Sequence, residues 1–444
     1  MAALPDKRRT LLRILGLVFG IAAVVGGMVG QGILRTPGIV AGAAYSPELI
    51  VLLWACGAVL VALSAFAYVE LGSAIPCAGG PYDFVRRAFG ELPGAIAGWA
   101  GWLILTSAQA FLATVVAEFL HRLGVWPGVS TPVLAVGVLA LFWAVNWTST
   151  RISGDSQIVF SAAKGVCLIA LVIVLFANPA SPAPALEPVS GAVGIAGFVI
   201  AMRAIINTYD GWADTVYHCE ELERPERTLP RSMAMGVVSV AILYLLVNLA
   251  LLHVLSPAQM AASTLPAADA AELVLGPAGR LALTAFGVLS VAAITNLNVM
   301  RGARVSFAMA RQGHLPARLS YVAASGTPRA ALTASVLFAA LIAATGTYET
   351  IVAFNVPLSV GLVATVNVAA MRLRRLEPDL ARPFRIPLYP IPPLLAVAID
   401  LALLAALVFE DPLHSLEGFA FLGVIGVIYW LIKSTRQRPV SPAA

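Results

Sequence analysis

Two hydrophobic stretches of the chain are interrupted by residues that favour an irregular backbone. In the first, the run from Gly26 to Ile33 contains four glycines within seven residues, and each glycine lowers helix propensity by about 1 kcal/mol. In the second, the run from Asn207 to Trp212 inserts polar side chains and a further glycine. Irregular backbone inside a membrane is tolerated only where it lines a cavity or is buried in protein. The two interruptions therefore predict a binding site near the middle of a membrane.

The interruptions offer complementary chemistry to a small zwitterion such as an amino acid. A half-helix that begins near Ile33 directs unpaired amide hydrogens and the positive end of its dipole at the cavity, which suits a carboxylate. The broken end of the preceding half-helix and the carbonyls around Asn207 suit an ammonium group. The predicted substrate-binding residues are Gly30, Gln31, Gly32 and Ile33 in the first interruption and Asn207, Thr208, Tyr209, Asp210 and Gly211 in the second. The alternative is that the glycines only allow close packing of helices.

A lysine lies deep in a third hydrophobic stretch. Lys164 is about two turns into this stretch, too far from its end for easy snorkelling, and a lysine there costs about 3 kcal/mol on insertion scales. A functional role is therefore the default hypothesis. Burial favours the neutral amine, which would make Lys164 a candidate proton carrier. It could equally be a fixed structural cation that bonds carbonyls at the first interruption, and the sequence leaves both alternatives open.

The elements that must position these residues are hydrophobic helices. Charged side chains make up 11% of the 444 residues and hydrophobic ones 59%, whereas a soluble chain carries about 25% charged residues. Hydrophobic stretches recur from end to end, each long enough to cross about 30 Å of hydrocarbon as a helix. The sequence predicts an all-α polytopic membrane protein with twelve transmembrane helices, at 13–43, 48–75, 92–120, 131–149, 156–177, 192–218, 232–255, 277–309, 330–346, 349–371, 391–409 and 415–433.

No polar segment is long enough for a separate globular domain, so residues 1–444 are predicted to form a single integral membrane domain. If the first five spans and the next five are repeats, each interruption lies in the first span of its half. The first repeat would then cover 13–177, the second, inverted repeat 192–371, and two additional helices would occupy 391–433.

Basic residues are distributed unequally between the two sides of this predicted topology. With a cytoplasmic N-terminus, 22 Lys and Arg residues fall on the inner side and two, Arg122 and Arg280, on the outer side. The positive-inside rule therefore predicts cytoplasmic termini and an even number of spans in the inner (plasma) membrane. Arg301, within the eighth span, is expected to reach the cytoplasmic surface. The inner set includes Lys7, Arg8, Arg9 and Arg438, and the acidic residues of the outer loops include Glu187, Glu349, Glu410 and Asp411.

Several other classes of protein are disfavoured. The four cysteines fall in or beside hydrophobic stretches, which supports neither a disulfide framework nor a metal site. No HExxH zinc motif or G-x-S-x-G nucleophile elbow is present, so neither an enzyme nor a cofactor is expected. The positive-inside rule explains the net charge of +5 better than nucleic-acid binding does. The hydrophobic run after Arg9 continues past 20 residues, so we expect an uncleaved first helix rather than a signal peptide.

Motifs along nearly the whole chain resemble those of a known family. The chain is similar to the amino acid-polyamine-organocation (APC) superfamily, and within it to the L-type amino acid transporter branch and its bacterial relatives. In chain order, the motifs that carry the resemblance are Gly30-Gln31-Gly32-Ile33-Leu34 with Thr36-Pro37, Gly79-Gly80-Pro81-Tyr82, Ala162-Ala163-Lys164, Tyr209-Asp210-Gly211-Trp212 with Glu220-Glu221, Gly313-His314-Leu315-Pro316 and Arg382-Pro383-Phe384.

The resemblance implies a leucine transporter-like fold with a five-plus-five inverted repeat, discontinuous helices 1 and 6, and two extra C-terminal helices. It also implies alternating access, with the substrate carboxylate at the first interruption and the amino group at the second. Lys164 resembles the lysine that occupies the family's second sodium site, which implies sodium independence, and Thr295 and Asn296 are expected nearby. Two positions depart from the family pattern. Gln31 replaces a small residue, and Asn207 stands where relatives often place a bulky aromatic gate.

The sequence therefore predicts sodium-independent transport of a neutral L-amino acid, by proton symport or by amino acid exchange. A carrier of cationic amino acids or polyamines is the first alternative, and an Asp210 that faces the cavity would favour it. More remote alternatives are a channel, a non-transporting membrane sensor and an intramembrane enzyme. The expected partners are the amino acid substrate, the lipid bilayer and, for symport, protons. No external cysteine of the kind that links animal relatives to a glycoprotein is expected, so a monomer or weak homodimer is predicted.

Overall fold

The computed structural model describes residues 10–44, 46–178, 195–345, 348–410 and 412–436. These residues fold into sixteen α-helices in chain order: α1 Leu17–Met28, α2 Gly32–Ala44, α3 Pro47–Ala74, α4 Pro81–Phe89, α5 Glu91–Arg122, α6 Thr131–Thr148, α7 Thr150–Ala177, α8 Ile195–Thr208, α9 Pro225–Val254, α10 Pro257–Ala262, α11 Pro266–Leu275, α12 Pro277–Arg311, α13 Arg329–Thr345, α14 Tyr348–Leu376, α15 Ile391–Glu410 and α16 Pro412–Arg436. A 3₁₀ segment at Trp212–His218 follows α8. Predictions made for Lys7, Arg8, Arg9, Glu187, Asp411 and Arg438, and for the side chains of Glu349 and Glu410, lie outside the described residues.

Caps and prolines explain where the long helices begin. The Ser46 hydroxyl accepts a hydrogen bond from the backbone N–H of Leu49 at 3.2 Å, just before Pro47 opens α3. Ser149 accepts one from Ile152 at 3.1 Å and so caps α7. Such N-caps satisfy amides that have no acceptor within the helix, and proline is favoured at the first helical position because it lacks that amide.

The described helices include enough hydrophobic length for a multi-pass membrane protein. Eight of them are long and hydrophobic enough to cross a membrane, and the bent pair α1 and α2 makes nine if it is counted as one span. Three shorter hydrophobic helices lie at Gly197–Thr208, Arg329–Thr345 and Ser415–Leu431. The chain is therefore an all-helical, multi-pass membrane protein in the part described, and the count of twelve spans stays a prediction.

The first interruption begins later than the glycine pattern predicts. Gly26 and Gly27 remain inside α1, and the chain leaves the helix only at Val29, with a bend of 47° to α2. Gly26 lies against Ser161 and Gln157 of α7, where a larger residue would clash. The packing explanation therefore holds for Gly26, whereas Gly30 and Gly32 stand at the break itself.

The broken elements lie at the centre of the bundle. α1 packs against α7, α9 and α12, and α2 packs against α8. α5 and α12, two of the longest helices, pack against each other along one side of this centre. The short helix α4 begins after Gly80, whose φ of +51° favours glycine, and packs across the end of α5. This arrangement surrounds both interruptions with helices that can supply side chains to them.

Candidate binding site in a central cavity

A cavity of about 1650 Å³ extends from the two interruptions toward one face of the bundle. Near that face its wall includes Asp269 and Arg280, whose side chains are largely solvent-exposed and pair with each other at 3.3 Å. At its deep end the wall includes Asp214 and Arg301. Because typical ligand pockets measure about 300–1,000 Å³, the cavity has room for a small substrate and a vestibule above it.

Carbonyl groups at the end of α1 are held by side chains from three other helices. Lys164 Nζ of α7 donates to Gly26 O at 2.7 Å and to Val29 O at 2.6 Å. Ser290 of α12 donates to Val29 O at 3.0 Å, and Tyr244 of α9 donates to Met28 O at 2.6 Å. Orphan carbonyls at the end of a buried helix need such partners. The break is therefore a built feature, fixed from three sides.

The opposite side of the break presents amides to the cavity. α2 begins at Gly32, and the first N–H groups of a helix have no acceptor within it. Gly30, Gln31 and Gly32 all line the cavity. A Cβ atom on Gly32 would stand 2.9 Å from Thr208 Oγ1, so a side chain there would collide with the second interruption. The start of α2 is thus a positive, donor-rich end of a helix at the cavity wall.

The second interruption touches the first through its backbone. Gly211 has φ of +101°, a conformation that favours glycine, and a Cβ there would lie 2.6 Å from Gly27 O. Thr208 and Thr36 share a hydrogen bond of 2.6 Å between their hydroxyls. The single hydroxyl hydrogen of Tyr244 is shared between Met28 O and, at the longer distance of 3.2 Å, Thr208 O. One tyrosine hydroxyl therefore ties the ends of α1 and α8 together.

The predicted binding residues divide into two groups in the structure. Seven line the cavity, namely Gly30, Gln31, Gly32, Asn207, Thr208, Asp210 and Gly211. Two, Ile33 and Tyr209, are buried and do not line it. Tyr209 instead packs its ring against Tyr244, with centroids 5.0 Å apart, and donates to Trp54 O at 3.3 Å. The turn that brings Asp210 to the cavity directs the side chain of Tyr209 into the core.

Lys164 and the two residues expected near it are all buried. Thr295 donates to Val291 O of its own helix at 2.9 Å. Asn296 bonds the side chain of Gln157 at 3.1 Å, and Gln157 bonds Ser161, one turn before Lys164, at 3.3 Å. Asn296 therefore lies in the polar contact between α12 and α7 and reaches Lys164 only through intermediates, whereas the Thr295 hydroxyl bonds within α12.

The deep end of the cavity is closed by ion pairs between α12 and the segment from Asp214 to Glu221. Arg301 pairs with Asp214 at the deep end of the cavity and donates to Asn298 Oδ1 at 2.6 Å. Behind this pair, Arg304 binds both carboxylate oxygens of Glu221, at 2.8 and 2.9 Å, and both side chains are buried. We call these pairs the cavity floor, together with a third formed by Arg311 and Glu220 at 2.6 and 2.7 Å.

Arg301 does not reach the cytoplasmic surface, and that prediction is wrong. Its guanidinium group is held within the bundle, 11% exposed, because Asp214 attracts it and the ring of Tyr217 lies 5.6 Å away. Two further residues of the site escaped sequence reasoning. Tyr244 gives no pattern beyond a tyrosine in a hydrophobic run, whereas Asp400 is a membrane-embedded carboxylate that a search for charges within spans would have found.

Comparison with known proteins decides the class of this site. The family model described as amino acid permease matches residues 15–432. The chain belongs to the amino acid permease family. Its relatives are amino acid transporters rather than enzymes, so the permease moves small molecules across a membrane.

Curated relatives match over nearly the full length of the permease. It is 27% identical to the mouse (Mus musculus) b(0,+)-type amino acid transporter 1 over 441 residues, 96% of this chain and 89% of that protein. It is 25% identical to the serine/threonine exchanger SteT of Bacillus subtilis strain 168, over 95% of this chain and 97% of that protein. It is 28% identical to the rat (Rattus norvegicus) large neutral amino acids transporter small subunit 2, over 96% and 81% respectively.

Proposed function

We propose that the permease is a secondary active transporter of L-amino acids that works by alternating access, independently of sodium. The contact of the two interruptions within one cavity carries this proposal. Gly211 lies against Gly27, and Thr208 lies against Gly32, so a ligand between them meets helix amides on one side and carbonyl oxygens on the other. A zwitterion satisfies both groups at once.

The substrate carboxylate is assigned to the start of α2, at Gly30, Gln31, Gly32 and the backbone of Ile33. The amino group is assigned to the end of α8, at Asn207, Thr208, Asp210 and Gly211, with Tyr209 holding that turn from the core side. These assignments are supported by the open amides of α2 and by the exposure of Asn207 and Asp210 to the cavity.

Sodium independence is supported by the position of Lys164. Its ammonium group bonds Gly26 O and Val29 O and so brings a positive charge to carbonyls that a metal cation would otherwise coordinate. Because the site already contains a fixed cation, a second one would be repelled.

The proposed topology has twelve spans in the plasma membrane with both termini cytoplasmic. Residues 13–177 and 192–371 form the two inverted repeats of one transporter domain, and 391–433 form two additional helices. The cavity floor then lies on the cytoplasmic side and the described conformation opens outward. We expect a monomer or a weak homodimer.

The substrate is proposed to be a neutral L-amino acid, moved by proton symport or exchange. One observation favours the alternative of cationic amino acids or polyamines: the side chain of Asp210 is exposed to the cavity. The names of two relatives favour neutral substrates, since one is a large neutral amino acids transporter and another a serine/threonine exchanger. Competition by L-serine, L-leucine, L-lysine and putrescine separates these classes.

The test is counterflow in proteoliposomes, with tritiated L-serine, L-leucine and L-lysine outside and the unlabelled amino acid inside. We expect uptake of at least one of them, equal in sodium and choline buffers. Gly32→Ala should abolish it because the added methyl group meets Thr208 at 2.9 Å. The matched control is Gly165→Ala on α7, where a Cβ meets nothing within 4 Å. Sodium-dependent uptake, or uptake of none of the three, would refute the proposal.

A further inference from the structure

α15 carries a carboxylate, Asp400, into the cavity wall, and this carboxylate has no counter-ion within the described residues. Asp400 is the tenth of 20 residues in α15 and lines the cavity. Its Oδ2 atom is buried and has no hydrogen-bond partner in the part of the chain that the structure describes. The other cavity-lining residues of α15 are hydrophobic: Ile399, Leu403 and Leu407. An ionisable residue placed like this within a membrane is costly, and its default interpretation is functional.

The neighbouring helices do not neutralise Asp400. Within the described residues, no basic side chain forms an ion pair with it. Tyr68 of α3 also lines the cavity, and its ring packs edge-on against Trp212 with centroids 4.8 Å apart. The other described titratable or charged groups on the helices that pack against α15 are Cys56, Glu48 and Glu70 of α3, Arg372, Arg374 and Arg375 in the last two turns of α14, and Glu417 and Tyr429 of α16.

Three other charged residues near the two interruptions already have tasks. Asp214 is paired with Arg301 in the cavity floor, and Asp210 is assigned to the amino group of the substrate. Lys164 is buried, holds two carbonyls and does not line the cavity. Asp400 is thus a cavity carboxylate with access to water and no assigned partner.

Closure of the cavity gives this carboxylate a role. While the cavity is open, its water can solvate the charged form. Closure around a substrate expels that water, and a carboxylate left in apolar surroundings becomes neutral rather than remaining charged. The closed state is therefore favoured when Asp400 has bound a proton, so that proton binding and closure are linked.

We propose that Asp400 is the proton-binding group of this carrier. A proton from the water of the open cavity adds to the Asp400 carboxylate before closure, and it returns to water when the site opens to the other side. One proton then crosses with each substrate, which makes the permease a symporter. This inference rests on the proposed transport function and decides one question that the proposal leaves open.

The experiment measures accumulation and counterflow in the same proteoliposomes. Tritiated L-serine, L-leucine and L-lysine are offered with the outside more acidic by about one pH unit, an imbalance that supports accumulation of about tenfold for one proton per substrate. We expect the wild type to accumulate substrate and Asp400→Asn to lose accumulation while it retains counterflow. The matched control is Asp155→Asn, at an exposed aspartate of α7 that does not line the cavity, which should behave as the wild type. Asp400→Glu should recover at least part of the accumulation.

Each other result overturns the inference in a recognisable way. If the wild type shows counterflow but ignores the gradient, or if Asp400→Asn accumulates as the wild type does, Asp400 does not couple transport to protons. If Asp400→Asn loses only L-lysine uptake, the carboxylate binds a substrate ammonium group instead. If both Asp400→Asn and Asp400→Glu lose counterflow and unfold at lower temperature, the role is structural. Absence of wild-type counterflow with all three amino acids refutes the transport function itself, and with it the role of Asp400.

Discussion

Replacement of Lys164 tests whether its ammonium group holds the break or carries protons. Lys164→Met keeps a side chain of similar length but removes the ammonium group that donates to Gly26 O and Val29 O. Val29 O keeps the hydroxyl of Ser290, whereas Gly26 O receives no other hydrogen bond within the described residues. A buried acceptor left without any hydrogen bond, as at Gly26 O, costs about 1–3 kcal/mol. An acceptor that loses one of two hydrogen bonds, as at Val29 O, costs about 0.5–1.5 kcal/mol. The expected loss of stability is therefore roughly 1.5–4.5 kcal/mol.

Two measurements follow from this estimate. Because unfolding entropy is about 2 cal/mol/K per residue, the midpoint of thermal unfolding in detergent should fall by roughly 2–5 °C. Counterflow and gradient-driven uptake should fall together. Both need the start of α2, to which we assign the substrate carboxylate, and the substitution distorts it. Ser290→Ala is a graded control: it removes one donor from Val29 O and leaves Lys164 in place, so its effect should be clearly smaller.

A different pattern would refute this reasoning. If Lys164→Met unfolds at the wild-type temperature and retains counterflow while gradient-driven accumulation disappears, Lys164 is the proton carrier. The structural role would also fail if Ser290→Ala were more damaging than Lys164→Met.

Two predictions concern the side of the protein away from the cavity mouth. Glu70 is buried and binds Arg374 and Arg382, the latter at 3.4 Å. Glu70→Gln should therefore destabilise the detergent-solubilised protein by about 3–5 kcal/mol, measured by thermal unfolding. An unchanged unfolding midpoint would contradict a stabilising role for these ion pairs. The hydrogen bond from Arg87 lowers the pKa of Glu377. This pair therefore stabilises the fold when the pH is above the ordinary glutamate pKa of about 4.3. The stabilisation is lost as the pH falls through the lowered pKa of Glu377. Since both side chains are about a third exposed, Glu377→Gln should lower stability by less than about 1 kcal/mol at neutral pH, and this difference from the wild type should vanish in acid.

The interruptions were predictable from the sequence because they depend on local backbone preferences. Glycines and polar residues within a hydrophobic run disfavour a helix wherever the run is placed, so the runs at Gly26 and Asn207 marked the breaks without knowledge of their neighbours. The exact break was less accessible. Gly27 remains helical, and its lack of a side chain makes room for the backbone of Gly211. A contact between residues so distant in sequence leaves no local pattern.

The partners of charged residues were also beyond the sequence. Arg301 was expected at the surface because arginine side chains near a span end often extend to it, yet the 3₁₀ segment carries Asp214 to within reach. The same limit applies to Ile33 and Tyr209. Their motifs are correctly placed at the breaks, but whether a side chain points into the cavity or the core depends on the turn of the backbone at that residue.

In the proposed alternating-access cycle, the cavity floor determines where the barrier to inward opening lies. Attraction between charges varies inversely with the effective dielectric constant, so a pair that becomes wet, passing from about 20 to about 80, loses about three quarters of its attraction. Arg301 and Asp214 adjoin the cavity, whereas Arg304 and Glu221 lie behind them. Separation of the first pair admits water to the second and weakens it before it moves. The activation energy is therefore concentrated in the separation of Arg301 from Asp214. Water then enters the pathway step by step, and the later pairs add little to the time of opening.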